Sequence, residues 1–255
     1  MARIFITGST DGLGRAAAQA LINEGHEVVL HARSQKRVAA VGELRQFSVG
    51  IAVGDLASAV ETRSIADQVN AIGRMDAVIH NAGVYSERSR GSTPEGHAGI
   101  LAVNTLAPYM LTALIERPAR LVYLSSGLHR GGEGSLSDLD WTKRRWDPAR
   151  AYAESKLHVV ALAFALARRW PEVLSNAVNP GWARTKMGGP GAPVDLDTGQ
   201  RTQTWLAASD EPAALVTGHY WHHLRQEQPA SEATDPDFQD RLLDKLAELT
   251  GVRLF

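Results

Sequence analysis

Tyr152 and Lys156 stand four residues apart in the stretch Ala151-Tyr152-Ala153-Glu154-Ser155-Lys156-Leu157. On a helix that spacing puts both side chains on one face. A free phenol ionises near pH ~10, too high for easy proton exchange at neutral pH. A neighbouring ammonium stabilises the phenolate and is expected to lower that value, each unit corresponding to about 1.4 kcal/mol between the protonation states. Tyr152 then reads as a general acid in one direction of a reaction and a general base in the other. Ser126 ends the apolar run Arg120-Leu121-Val122-Tyr123-Leu124-Ser125. Its hydroxyl is placed to hydrogen-bond a carbonyl oxygen on which charge develops. The plainer alternative is a surface tyrosine beside a solvated lysine. It loses because the pair opens a helix that is apolar almost all round, from Val159 to Leu166.

These side chains need a scaffold, and the N-terminus shows its type. Arg3-Ile4-Phe5-Ile6-Thr7 reads as a buried strand, and Arg15 to Ile22 as a helix. Between them lies Gly8-Ser9-Thr10-Asp11-Gly12-Leu13-Gly14. Glycines allow a tight turn and close backbone approach to phosphates, and the helix N-terminus offers free N–H groups to an anion. The loop at this first strand-to-helix junction therefore reads as a cradle for a dinucleotide pyrophosphate, one residue wider than the usual spacing. Asn104 lies within a helical stretch predicted from Thr93 to about Glu116. A buried Asn there is either satisfied by neighbouring backbone or holds a water in a proton path.

Further strands are predicted at Glu27–His31, Phe47–Val53, Met75–His80, Val173–Val178 and Leu215–Trp221, with helices at 34–46, 58–72, 198–209 and 235–249. The alternation implies an α/β chain, a doubly wound parallel sheet of about seven strands in one domain spanning residues 1–255. Ala32-Arg33-Ser34 ends the second strand, where such folds read the adenosine ribose; a cation there favours a 2′-phosphate and hence NADP over NAD. Asp55, followed by Leu56, either accepts from an adenine amino group or caps the next helix. Asn81-Ala82-Gly83 provides small residues where a ribose comes close. His80 reads as a satisfied strand residue. Val84–Gly91 reads as a polar loop, and 128–147 as a long irregular segment whose Trp141 and Trp146 argue against disorder. Lys186–Asp197, rich in glycine and proline, reads as a lid.

With these residues placed, the whole chain resembles a short-chain dehydrogenase/reductase. The likeness is carried by Thr7-Gly8-x-x-x-Gly12-x-Gly14, Asp55, Asn81-Ala82-Gly83, Asn104, Ser126, Tyr152-x-x-x-Lys156 and Asn179-Pro180-Gly181-x-x-x-Thr185. It implies a catalytic tetrad of Asn104, Ser126, Tyr152 and Lys156. It also implies a nicotinamide cofactor held by the glycine loop, Asp55, Leu56, Asn81 to Gly83, Lys156, Pro180, Gly181 and Thr185. Asp55 becomes an adenine contact on this reading. Asp11 stands where NADP-preferring members often carry a base, leaving Arg33 to argue for NADP. The Ser126–Tyr152 interval, with Ser125-Ser126-x-x-His129 and Asp138-Leu139, is similar to retinol-dehydrogenase-like and carbonyl-reductase branches. The implied reaction interconverts an apolar carbonyl compound and its alcohol. A catalytically idle NADP-binding redox sensor is the alternative class, disfavoured by the intact Ser, Tyr and Lys.

A net charge of −1 gives no case for nucleic acid or an anionic membrane as partner, and the absence of cysteine excludes disulfides and thiolate metal ligands. No metal site is expected. No secretory signal or membrane-length apolar run is visible, so a cytoplasmic protein is expected. The helix from Tyr152 to Leu166 needs cover beyond one sheet face. The resemblance implies a second copy of the chain in a dimer or tetramer, although the branches named above also include monomers.

Overall fold

The computed structural model describes residues 1–85 and 89–254. Eight strands form one sheet in the order β3-β2-β1-β4-β5-β6-β7-β8. They are β1 (Arg3–Ile6), β2 (Glu27–Ala32), β3 (Gly50–Val53), β4 (Ala77–His80), β5 (Arg120–Leu124), β6 (Leu174–Asn179), β7 (Tyr220–His222) and β8 (Arg225–Glu227). The helices are α1 (Gly12–Asn23), α2 (Gln35–Val38), α3 (Leu44–Phe47), α4 (Ala59–Ile72), α5 (Gly99–Leu101), α6 (Ala107–Leu114), α7 (Pro148–Arg169), α8 (Leu196–Ala208), α9 (Ser231–Thr234) and α10 (Pro236–Thr250). No helix of the described residues is long and apolar enough to cross a membrane.

Side chains alternate between the faces of a strand, and here both faces are buried. Ile4, Ile6, Val28, Leu30, Ala77, Ile79, Val122 and Leu124 pack on one side, in the cluster that holds Ala17, Leu21 and Leu206 of α1 and α8. Phe5, Val29, Val78, Leu121 and Tyr123 pack on the other, with residues of α4, α6, α7 and α10. The chain winds outward from β1 to β3, then returns to place β4 on the free side of β1. The carboxyl ends of β1 and β4 therefore flank the point where the winding reverses, the place where open α/β sheets bind ligands.

Several elements differ from the sequence expectation. The helix expected over 34–46 is broken into α2, a 3₁₀ turn at Ala39–Val41 and α3, because Gly42 takes φ 60°. The strand expected from Phe47 begins at Gly50; Phe47 and Val49 are exposed. The helix expected from Thr93 begins at Gly99, since Thr93 to Gly96 closes a turn with Gly96 at φ 90°. The Glu95 carboxylate is used elsewhere, accepting from the Ala59 N–H at the start of α4 at 2.7 Å. The strand expected over Leu215–Trp221 is confined to β7, because Asn176 bonds the Val216 carbonyl and the His219 N–H and holds that stretch as a loop. The eighth strand, antiparallel to β7, follows a two-residue turn at His223 (φ 46°) and Leu224 (φ 62°). Such turns are normally signalled by Asn or Gly, and neither is present. Of the polar loop expected at Val84–Gly91, residues 86–88 lie outside the described residues.

The 128–147 segment folds onto α7. Asp138 gathers the N–H groups of Thr142, Lys143 and Arg144 at 2.8, 3.0 and 3.1 Å. Arg144 forks onto the buried Glu154 at 2.8 and 2.9 Å, and the Trp141 indole N–H donates to the same carboxylate at 3.0 Å. Asp147 then caps α7 through the N–H groups of Ala149 and Arg150, with Pro148 in the first turn. The apolar face of α7 that lacks sheet cover packs in the same core as Phe238, Leu242 and Leu246 of α10.

Candidate active site

A cleft of about 420 Å³ opens at the carboxyl ends of β1, β2 and β4. Gly8, Thr10, Asp11, Gly12, Leu13 and Gly14 form one wall, Arg33, Asp55 and Leu56 one end, and Asn81 to Val84 the floor. Tyr152 and Lys156 of α7 close the other end with Pro180 and Thr185. The loop is shaped as a cradle. Gly8 has φ 68°, and a Cβ on Gly14 would collide with the Gly8 carbonyl and the Asn81 amide. A Cβ on Gly12 would lie 3.2 Å from the Thr185 methyl carbon, so the two distant motifs face each other across the cleft.

The floor is braced from below. The Asn81 amide donates to the Thr7 carbonyl at 2.8 Å, and the Thr7 hydroxyl accepts from the Ala82 N–H at 3.0 Å. His31 Nδ1 accepts from the Gly8 N–H at 2.9 Å while Nε2 reaches the Gly54 carbonyl at 2.9 Å. Burial pushes the imidazole pKa down, which suits the neutral form that this pair of bonds requires. Ser9 turns inward: its hydroxyl donates to the Ile6 carbonyl and accepts from the His31 N–H, so its side chain does not face the cleft.

Gly83 brings the chemical groups together. A Cβ there would meet Lys156 Nζ at 3.3 Å and Asn104 Oδ1 at 3.4 Å. Asn104 sits in a π-helical turn, Ala102–Leu106, a local widening frequent at functional sites. Its side chain is fully engaged: Oδ1 accepts from the Val84 N–H at 2.8 Å, and Nδ2 donates to the Val84 carbonyl and Ser155 Oγ, both at 3.0 Å. That is the plain satisfaction expected of a buried Asn. Ser155 passes the link on, donating to the Tyr152 carbonyl at 2.7 Å. Lys156 Nζ donates to the Leu124 carbonyl at 2.8 Å, and the Ser125 hydroxyl donates to the Lys156 carbonyl at 2.9 Å.

Burial dominates the electrostatics. It lowers the Lys156 pKa to about 8. It raises the Tyr152 pKa to about 12, while a side-chain hydrogen bond with Ser126 works the other way. The lowered phenol expected from the sequence is thus not found, because the ammonium is directed at Leu124 and stands 5.6 Å from the tyrosine ring centroid. Asp55 is not the cap of α4; Ser58 fills that role, and Asp55 accepts from the Ala57 N–H at 3.0 Å at the cleft edge. Ser126, Asn104 and Gly181 stand outside the cleft lining, Ser126 joining it through Tyr152. His80 is buried and pairs through Nε2 with Thr112 at 3.2 Å, leaving Nδ1 without a partner.

A family profile described as enoyl-(acyl carrier protein) reductase matches residues 8–209, which contain every part of this cleft. The short-chain dehydrogenase chyC of Penicillium rubens is 40% identical over 258 residues, covering 100% of this chain and 99% of that protein. The chain belongs to the short-chain dehydrogenase/reductase family. Human retinol dehydrogenase 13 is 30% identical over 281 residues, covering 98% of this chain and 84% of that one. A crystal structure of an uncharacterized protein from Mycobacterium paratuberculosis superposes with a TM-score of 0.82 at 26% identity, covering 100% of this chain and 95% of that one. This short-chain dehydrogenase/reductase is therefore an oxidoreductase of a family that uses nicotinamide cofactors, and the cradle suits that group. Of its supports, His31 and Ser155 carry no motif signature of their own; only the fold shows what they touch.

Proposed function

We propose that this short-chain dehydrogenase/reductase interconverts a neutral carbonyl compound and its alcohol with NADP(H), and that Tyr152 is the proton donor and acceptor. One observation carries the reading: Tyr152, with Ser126 beside it, and Lys156 one turn later both face the cleft that the glycine loop cradles. When bound, the reduced nicotinamide supplies the hydride to the carbonyl carbon. Tyr152 gives its proton to the carbonyl oxygen, and Ser126 hydrogen-bonds that oxygen as charge develops. Lys156, its pKa lowered to about 8, still carries its proton at neutral pH, and its charge 5.6 Å from the Tyr152 ring limits the cost of the phenolate left behind. Asn104 and Ser155 fix the turn of α7 that carries Tyr152.

The NADP preference rests on the end of β2. Arg33 is exposed at the cleft and has no hydrogen bond or ion pair among the described residues, so its guanidinium is available for a 2′-phosphate. Arg37 reaches Thr10 Oγ1 at 3.4 Å and Asp11 at 3.6 Å. Lys186 pairs with the same Asp11 oxygen, so the carboxylate in the glycine loop has two cations beside it. A panel of aldehydes, ketones, quinones and secondary alcohols followed by NADPH absorbance tests the reading. Turnover that is lost in Tyr152→Phe supports it. An unreactive protein that binds NADPH tightly would favour a cofactor-sensing role.

A further inference from the structure

Three adjacent loops leave large apolar side chains in water at the same end of the sheet. Tyr85 follows β4, Leu128 follows β5 and Trp182 follows β6, and β4, β5 and β6 are neighbours. Their exposures are 38%, 54% and 61%. Met187, 47% exposed, lines the cleft together with Tyr152. Solitary exposed apolar residues are ordinary; four on neighbouring loops at one end of the sheet, one of them touching Tyr152 and one sharing its cleft, mark a binding surface. Tyr85 is the inner member. Its ring meets the Tyr152 ring edge-on, with centroids 4.6 Å apart and planes inclined by 68°. The Trp182 indole N–H donates to the Gly188 carbonyl at 2.8 Å, which holds that ring against the segment bearing Met187.

The described cations nearby are already engaged. Arg130 binds the Glu227 carboxylate and the Gln228 carbonyl at 3.0 and 2.7 Å, Arg184 binds the Ala192 carbonyl at 2.8 Å, and Lys186 pairs with Asp11. A substrate with a flat ring beside its carbonyl fits this apolar surface. The ring continues the aromatic packing that Tyr85 begins, and its carbonyl oxygen points to Tyr152 and Ser126.

We infer that Tyr85 is the specificity-determining residue of the carbonyl site, selecting aromatic carbonyl compounds by ring contact next to Tyr152; this rests on the carbonyl reading above. The test pairs benzaldehyde with cyclohexanecarbaldehyde, which are close in size and differ in planarity. Comparing each variant with wild type on each aldehyde cancels their intrinsic reactivities. Tyr85→Ala is expected to lower kcat/KM for benzaldehyde about 3–10-fold more than for cyclohexanecarbaldehyde, mainly through KM, the range of one aromatic pair. Tyr85→Phe keeps the ring and is expected to retain wild-type discrimination. Saturation-transfer NMR of the two aldehydes, without NADPH, is expected to show the same selective loss of binding. Equal effects of Tyr85→Ala on both aldehydes, or none, would overturn the role of Tyr85 and leave carbonyl reduction standing. Failure of the wild type to oxidise NADPH with either aldehyde would overturn the carbonyl reading and this inference with it.

Discussion

Lys156 Nζ is bound to the Leu124 carbonyl at 2.8 Å, at the end of β5, rather than to the Tyr152 phenol one turn away. The ammonium is buried, and burial lowers its pKa from 10.5 to about 8. In the unfolded chain the side chain regains its ordinary value. Below pH 8 both states carry the proton and the native state bears the full cost of the buried charge. Between about 8 and 10.5 the unfolded chain binds more protons, so this group's contribution to stability rises with pH. The difference of about 2.5 units corresponds to about 3 kcal/mol as an upper figure. Lys156→Met is therefore expected to stabilise the ligand-free protein at pH 7 by roughly 1–3 kcal/mol, less near pH 10, while removing activity. Urea midpoints of both proteins across that range check this; a destabilised Lys156→Met at pH 7 contradicts it.

Tyr152→Phe keeps the ring and its packing against Tyr85 but removes the proton. NADPH binding, measured by fluorescence titration, is expected to survive. Turnover is expected to fall by ~10²–10⁴, the range for losing a positioned acid–base group. Near-normal turnover would show that the proton comes from elsewhere.

The first glycine loop, the strands alternating with helices and the Tyr152–Lys156 pair were legible because their signals are local: short apolar runs buried on both faces, a spacing of four, a turn that only glycine tolerates. The turn at His223 and Leu224 was not legible, because its positive φ angles fall on residues that do not advertise them. Leu224 is held there by its N–H bond to Thr202 Oγ1, a contact with α8. Asn104 was legible as an oddity, but its π-helical turn and its bonds to Val84 and Ser155 depend on packing between α7 and the end of β4. The Arg144–Glu154 pair that folds the 128–147 segment is likewise a tertiary contact with no sequence period.

Asp11 and Lys186 join the glycine loop to the proposed lid over 186–197, with Val194 bridging back to Ala183. The pair is well exposed, so its worth is small, about 0.2–1 kcal/mol. Lys186→Ala is expected to raise hydrogen exchange over 186–194 in the ligand-free protein, and NADPH is expected to protect the segment in both proteins. Unchanged exchange in Lys186→Ala would show that Asp11 does not restrain the lid.

Cover for α7 comes from the chain itself. Phe238, Leu242 and Leu246 of α10 are buried in the core shared with α7, and Asp240 pairs with Arg168 and Arg169 at its end. A second copy is not needed to bury this face. Light scattering at micromolar concentration is expected to give a monomer mass. A dimer that persists on dilution would place the interface on another surface.

Cofactor choice is the sharpest test of the cleft. Arg33 is exposed and free at the end of β2, next to the buried Ala32, and Arg37 stands within reach of Thr10 and Asp11. A guanidinium holds a 2′-phosphate through charge-assisted bonds worth roughly 1.5–3 kcal/mol each, enough for a tenfold or larger preference for NADPH. Asp11 would oppose that preference were it unpaired. With Lys186 and Arg37 beside it, its charge is offset where the phosphate would approach. Ala32→Asp combined with Arg33→Ile removes the direct phosphate partner and places a carboxylate on the ribose hydroxyls, so the ratio of kcat/KM for NADPH over NADH is expected to invert. Lys186→Ala is expected to reduce the ratio without inverting it, since it leaves Arg33 in place and unmasks part of the Asp11 charge. A wild type that favours NADH would show that Arg33 faces solvent when cofactor is bound and that the phosphate reading of β2 fails.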